Sequence, residues 1–230
     1  MALASSTVFV AAGLAAGCGG EFGETVRVAP ERRTQVDGAQ AEQPPIRLPA
    51  DRPFNLVDAR RSSSGGGQSE SRADPSGTAS CSAAATGGGE AEAEFQLGHV
   101  VENRSQQSAD LVVRLHVDYA CTFDGDRRVR DAAPDGFGLK FFVMDSDKRV
   151  YKRVLLAGLS DDLGPESWSA VQRPSFDLRL EPGRAYHLVL AGRVEVGEGS
   201  QPASARIDVN SLKMELDFRG MEKADATGHD

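Results

Sequence analysis

The sequence predicts an all-β domain, an antiparallel two-sheet β-sandwich of seven or eight strands. Three observations carry that expectation. Apolar residues alternate with polar ones at period 2 through most of the chain after Ser80. Turn signals recur every 8 to 15 residues or so. No stretch of the mature chain shows the 3.6-residue period of an ordinary helix.

The first such segment is GEAEAEFQLGHVV, where Ala91, Ala93, Phe95, Leu97, His99 and Val101 share one face while Glu90, Glu92, Glu94 and Gln96 take the other. In DLVVRLHVDYAC, Leu111, Val113, Leu115, Val117, Tyr119 and Cys121 face inward, and Arg114, His116 and Asp118 face outward. Asp124-Gly125 and Pro134-Asp135-Gly136 bracket a loop. Phe137, Leu139, Phe141 and Val143 then form a third inward row, and KRVYKRVLLAG follows with the mixed phase of an edge strand or of two-sided burial. After a loop and a short segment around Trp168, Phe176, Leu178 and Leu180 alternate.

The last two strands have the strongest pattern. Tyr186, Leu188, Leu190, Gly192, Val194 and Val196 share a face. In ASARIDVNSLKMELDF the inward row runs Ala205, Ile207, Val209, then slips by one to Leu212, Met214, Leu216 and Phe218. Such a slip predicts a β-bulge at Asn210 or Ser211. Alternation alone fits both an immunoglobulin-like and a jelly-roll strand order.

Before Ser80 the sequence contains QPP, LPADRP, SSSGGG and ADPSG. Such compositions read as a low-complexity, disordered linker. Its segment IRLPADRPFNLVDARR, with Ile46, Leu48, Phe54, Leu56 and Val57, could dock on the domain or a partner, though its prolines argue against a central strand. From Ala2 to Gly17 there is no charged residue, in the manner of a signal-peptide apolar region too short for a comfortable membrane span. The expected organisation is a signal peptide at 1–17, a linker at 18–79, the β-domain at 80–220 and a disordered tail at 221–230.

Leu14, Ala15, Ala16, Gly17 and Cys18 resemble the lipobox of bacterial lipoproteins. That resemblance implies lipidation of Cys18, cleavage before it, and a membrane anchor in the cell envelope. Gly19 supplies no Asp-type retention signal, which favours the outer membrane or cell surface. Ordinary secretory cleavage or an uncleaved anchor would export the chain as well. Residues Leu180, Pro182, Gly183, Tyr186 and Leu188 resemble the tyrosine corner of immunoglobulin-like and fibronectin type III domains, which implies a Tyr186 hydroxyl bonded to backbone a few residues upstream.

With Cys18 lipidated, Cys81 and Cys121 remain in a compartment that permits oxidation. A disulfide between them would close a loop of about 40 residues, worth about 4 kcal/mol in the chain-entropy description.

The formal charge of −8 argues against a nucleic-acid partner. The histidines fail as a zinc cluster on parity, since His99 faces inward while His116 and His187 face outward. Asp124, Asp126, Asp145 and Asp147, on interstrand loops, are weak Ca²⁺ candidates, although FDGDRRVRD lacks EF-hand spacing. No nucleophile elbow, metalloprotease helix, phosphate loop or Cys-His pair is present, so neither a catalytic residue nor a cofactor is expected.

The expected function is therefore a non-enzymatic, exported lipoprotein whose tethered sandwich is a binding or structural module at the envelope. One alternative is a carbohydrate- or Ca²⁺-binding module that uses Trp168 or Tyr151 as a stacking surface. Another is an assembly component that exchanges a strand with an envelope protein through the Lys148–Ala157 edge.

Overall fold

A computed structural model describes residues 33–36, 44–125, 136–158, 166–197 and 202–219. Among them the chain forms thirteen strands and no helix. In order these are β1 (Thr34–Val36), β2 (Ile46–Leu48), β3 (Leu56–Ser64), β4 (Gly67–Asp74), β5 (Thr78–Ala85), β6 (Glu90–Asn103), β7 (Ala109–Asp124), β8 (Phe137–Asp145), β9 (Val150–Gly158), β10 (Glu166–Gln172), β11 (Ser175–Leu180), β12 (Ala185–Val196) and β13 (Ala203–Arg219).

They make two sheets. The six-stranded sheet runs β6-β12-β8-β9, and the other edge of β6 is shared by antiparallel β3 and a short parallel β1. The seven-stranded sheet has β7 and β13 at its centre, paired from Ser204↔Asp124 to Arg219↔Asp110. The free edge of β7 is shared by β10 and β11, and that of β13 by β5 and β2, with β4 outside β5. Pro174 separates β10 from β11 because it has no N–H to donate; its carbonyl accepts from Leu115 N at 2.9 Å.

From β5 onward the pairing runs from the outside in. β5 pairs with β13, β6 with β12, β7 with β10 and β11, and β8 with β9. This is the order of a long hairpin rolled up on itself, a jelly roll. The turn before β12 nonetheless has a tyrosine-corner contact, in which Glu181 N donates to Tyr186 Oη at 2.8 Å. The local motif thus occurs here within jelly-roll strand order.

The core forms where the alternating rows meet. Phe95, Leu97, Leu111, Val113, Val117, Leu139, Phe141, Leu188, Leu190, Ile207 and Leu216 are all essentially inaccessible. In β13 the register shifts between Val209 and Ser211, so Asn210 is the extra residue of the bulge. On the open side between β9 and β10, Tyr119 Oη donates to Leu156 O at 2.5 Å and Gln172 Nε2 donates to the same oxygen at 2.9 Å.

The linker expected at 18–79 is corrected over its described part, and the strand count exceeds the seven or eight expected. Residues 46–74 form β2, β3 and β4, which extend both sheets. Two physical causes hid them. Ser69 and Ser71 are half-buried between the sheet edges, where the Ser71 hydroxyl donates to Glu94 O and that of Ser69 to Ser62 O at 2.9 Å. Small polar residues fit there, so no apolar row was visible. The runs SSSGGG and TGGGE are two turns packed backbone to backbone: a Cβ on Gly89 would meet Gly66 C and Gly67 N at 2.5 Å. Glycine is required there for close approach. Cys18, the expected signal peptide and the expected tail at 221–230 lie outside the described residues.

Candidate functional site

The bulge at Asn210 is also where β13 changes partners. Upstream of it β13 pairs with β5, ending at Val209↔Ala79; downstream it pairs with β2 through Met214↔Leu48, Glu215↔Arg47 and Leu216↔Ile46. Two tight turns flank this junction. In one, Asp51 N donates to Arg47 O and Arg47 N donates to Asp51 Oδ2, both at 2.7 Å, which folds Pro49 to Pro53 back over β2. In the other, Ser76 N donates to Asp74 Oδ1 at 2.8 Å, and Gly77 N donates to Asp74 O at 3.0 Å. Gly77 has φ 99°, and a Cβ there would meet Leu212 O at 2.5 Å, so this turn seats directly against β13.

Between the turns and the outer face of the seven-stranded sheet is a cavity of about 790 Å³. One wall carries Pro49, Ala50, Pro53 and Pro75. Opposite lie side chains that β-alternation turns outward from β7 and β13: Arg114, His116, Lys213 and Glu215. Register places Lys213 beside His116 and Glu215 beside Arg114. Arg114 donates to Glu215 Oε1 at 2.7 Å and to Asp217 Oδ2 at 3.2 Å, and Arg47 approaches Glu215 Oε2 at 3.5 Å. His116 Nδ1 accepts from Arg173 Nε at 3.2 Å.

Hydrogen bonding fixes the charge states. Glu215, chiefly, raises the Arg114 pKa above its ordinary value, and the Ser76 hydrogen bonds hold the Asp74 carboxyl below the usual carboxylate range. The groove therefore pairs a flat apolar wall of proline rings with a row of fixed ionic donors and acceptors. Such a pairing suits a ligand that has both apolar faces and many hydroxyls. Sequence reading placed Arg114 and His116 outward but did not join them to the prolines of LPADRP and ADPSG, because the contact of β2 with β13 spans more than 160 positions of chain.

The expected Cys81–Cys121 disulfide is corrected. Both thiols are free and buried. Each pairs in register with Ile207, from opposite edges of β13. Two strand spacings separate their backbones by roughly 9–10 Å, beyond the roughly 7 Å that a bridge can span. Burial raises both thiol pKa values, that of Cys121 to about 12, so neither carries thiolate chemistry at neutral pH.

The Ca²⁺ candidates do not converge. Asp124 closes β7 at the end where Phe123 packs on Phe137, the first residue of β8, whereas Asp145 is the last residue of β8. A nine-residue strand puts these ends roughly 27 Å apart. Asp126 lies outside the described residues. Asp145 is fully buried and already accepts from Asp147 N and Arg149 N at 2.9 Å, from Tyr151 Oη at 3.0 Å and from Arg184 Nη1 at 2.8 Å. Burial pulls its pKa up, but these hydrogen bonds outweigh burial and hold it below the usual carboxylate range. Asp147 is largely exposed beside the Arg184 guanidinium at 3.8 Å, which takes the place a cation would need. Among the described residues no group of three or more metal-ligating side chains occurs.

The proposed stacking residues are used by the fold. Trp168 packs on Phe137 at 5.8 Å between ring centroids, and Tyr151 packs edge-on to Tyr186 at 5.4 Å while bonded to Asp145. β9 is an edge strand, as its phase suggested, but it is poorly suited to adding a strand. Its register shifts twice against β8, Lys152 and Arg153 are exposed, and Leu156 O is already taken by Tyr119 and Gln172. His99 is buried with its Nε2 at 2.6 Å from Thr34 Oγ1, which ties β1 to the edge of β6. Burial, and to a lesser degree the Arg52 charge, lower its pKa to about 4.

No family model matches this chain, and no curated protein does. Among solved structures, one from work on the promiscuous specificity of carbohydrate-binding modules of the β-sandwich superfamily aligns at 10% identity and TM-score 0.19, over 71% of this chain and 57% of that one. The chain thus spans little more than half of that structure. A family 11 carbohydrate-binding module of a cellulosomal cellulase of Clostridium thermocellum aligns at 7% identity and TM-score 0.19, over 80% of this chain and 99% of that one. At these TM-scores neither likeness assigns a ligand to this chain.

Proposed function

We propose that the protein is an exported, lipid-anchored, non-enzymatic binding module that takes a carbohydrate chain in the groove between the Pro49–Pro53 turn and the outer faces of β7 and β13. The groove itself carries the reading. Its proline wall offers flat C–H surface to a sugar ring, while Arg47, Lys213, Glu215 and Asp74 offer charged donors and acceptors for hydroxyl groups. His116, Arg114 and Glu215 are held by neighbours, which suits recognition by a pre-formed surface.

Cys18 is the anchor in this reading. The tether to the first strand is then residues 19–33 and not the sixty-residue spacer that composition suggested.

Two experiments test the halves separately. Metabolic labelling with a palmitate analogue should mark the wild-type chain and not Cys18→Ser; equal label would remove the anchor. A glycan array probed with the full chain and with Lys213→Glu should give discrete glycans whose signal falls at least tenfold in the variant. An array without signal above background would overturn the carbohydrate reading.

A further inference from the structure

The outer face of the seven-stranded sheet carries its charges in rows that cross the strands, and two neighbouring rows differ in what neutralises them. In one, Arg47 of β2, Glu215 of β13 and Arg114 of β7 stand side by side. Glu215 meets both arginines, and Asp217 accepts from the second arm of Arg114, so acid and base are matched there. Asp74, on the turn opposite, is held by the Ser76 amide.

The next row is unmatched. Lys213 of β13 pairs in register with His116 of β7, and Arg173, in the link between β10 and β11, lies on the other side of that imidazole with its Nε donating to Nδ1 at 3.2 Å. At strand spacing, Lys213 and Arg173 therefore flank His116 at roughly 5 Å on either side. Both are exposed, and among the described residues neither is ion-paired. Asp118, the next outward carboxylate of β7, accepts instead from Asn210 Nδ2 at 3.3 Å. With Nδ1 accepting, the neutral imidazole carries its proton on Nε2, where it is a donor. Arg173 uses Nε on His116 and keeps both Nη groups, a fork that matches the oxygens of a carboxylate or a sulfate ester.

We propose that the sugar chain taken by the groove is acidic, with a carboxylate or sulfate group bound at the Lys213–His116–Arg173 row. This rests on the carbohydrate reading above and adds the charge of the ligand. His116 and Lys213 line the cavity opposite the proline wall, so a sugar can lay its C–H face on the prolines while its acidic group meets the cations. The two lining carboxylates, Asp74 and Glu215, are already engaged, and the charge left over in the groove is that of Lys213, extended by Arg173 at its rim. The formal charge of −8 disfavours a polyanion over the rest of the surface, so attraction at one row also fixes the register of the sugar chain.

The test is a glycan array that sets each acidic member beside its neutral counterpart: oligogalacturonates with their carboxyl-reduced forms, and sulfated galactan oligomers with their desulfated forms. The full chain should score at least tenfold higher on one acidic set than on its counterpart, and the set that scores assigns carboxylate or sulfate. Arg173→Gln should lower that signal at least fivefold, while Arg173→Lys, which keeps the charge, should retain more of it. Equal or higher signal on neutral members would overturn the acidic ligand and leave the carbohydrate reading standing. Silence across the array would overturn both. An acidic signal unchanged in Arg173→Gln would remove the row from recognition and overturn the proposal.

Discussion

Cys81 and Cys121 face Ile207 from opposite sides, one on β5 and one on β7, with β13 between them. The strand that separates them is what prevents a bridge. Full-length protein from an oxidising compartment should therefore carry both thiols reduced and unreactive to a thiol reagent until denatured, and its melting temperature should not move with reductant. Recovery of a joined Cys81–Cys121 peptide by mass spectrometry would contradict the register.

Asp145 organises the end of the sandwich where β8, β9 and β12 meet. Asp145→Asn keeps the size but loses the charge that Arg184, Tyr151 and two backbone amides address, and should cost about 2–3 kcal/mol at pH 7. The folded-state pKa is lowered, so this stabilisation is complete above the unfolded value and fades as pH falls through the folded one. Urea midpoints of wild type and variant should differ at pH 7, and the difference should shrink as pH falls below the ordinary carboxylate range.

His99 gives a separate acid sensitivity. Its pKa is about 4 when folded and 6.5 by default, so as pH falls from 6.5 toward 4 the unfolded chain takes up a proton that the folded chain refuses. Stability should drop by up to about 3 kcal/mol across that window. His99→Gln should flatten urea midpoints between pH 7 and pH 4.5 relative to wild type. An unchanged slope would mean that this imidazole does not control the effect.

How much of this was legible depended on whether a residue's neighbours were local. The inward rows from Ala91 to Val196 could be read directly, because a strand with one buried face writes its period into the sequence. The bulge at Asn210 was legible for the same reason, since one extra residue shifts the row from Val209 to Leu212. β4 was not legible, because Ser69 and Ser71 are held by backbone carbonyls and no large apolar side chain marks its faces, and β3 was not, because after Leu56 and Val57 its run DARRSSS shows no apolar alternation. The groove was hidden more deeply. Arg47 and Glu215 are neighbours only because β2 replaces β5 beside β13 after the bulge, and nothing local in IRLPADRP announces that replacement.

The most direct test of the central claim is an amide chemical-shift titration of isotope-labelled protein with a glycan that scores on the array. Binding in the groove predicts the largest shifts at Arg47, Ala50, Ser76, Arg114, His116 and Lys213, with the β9 edge and the Asp145 turn unmoved. Shifts centred on Trp168 or on the Asp145–Arg149 turn, with the groove silent, would contradict it.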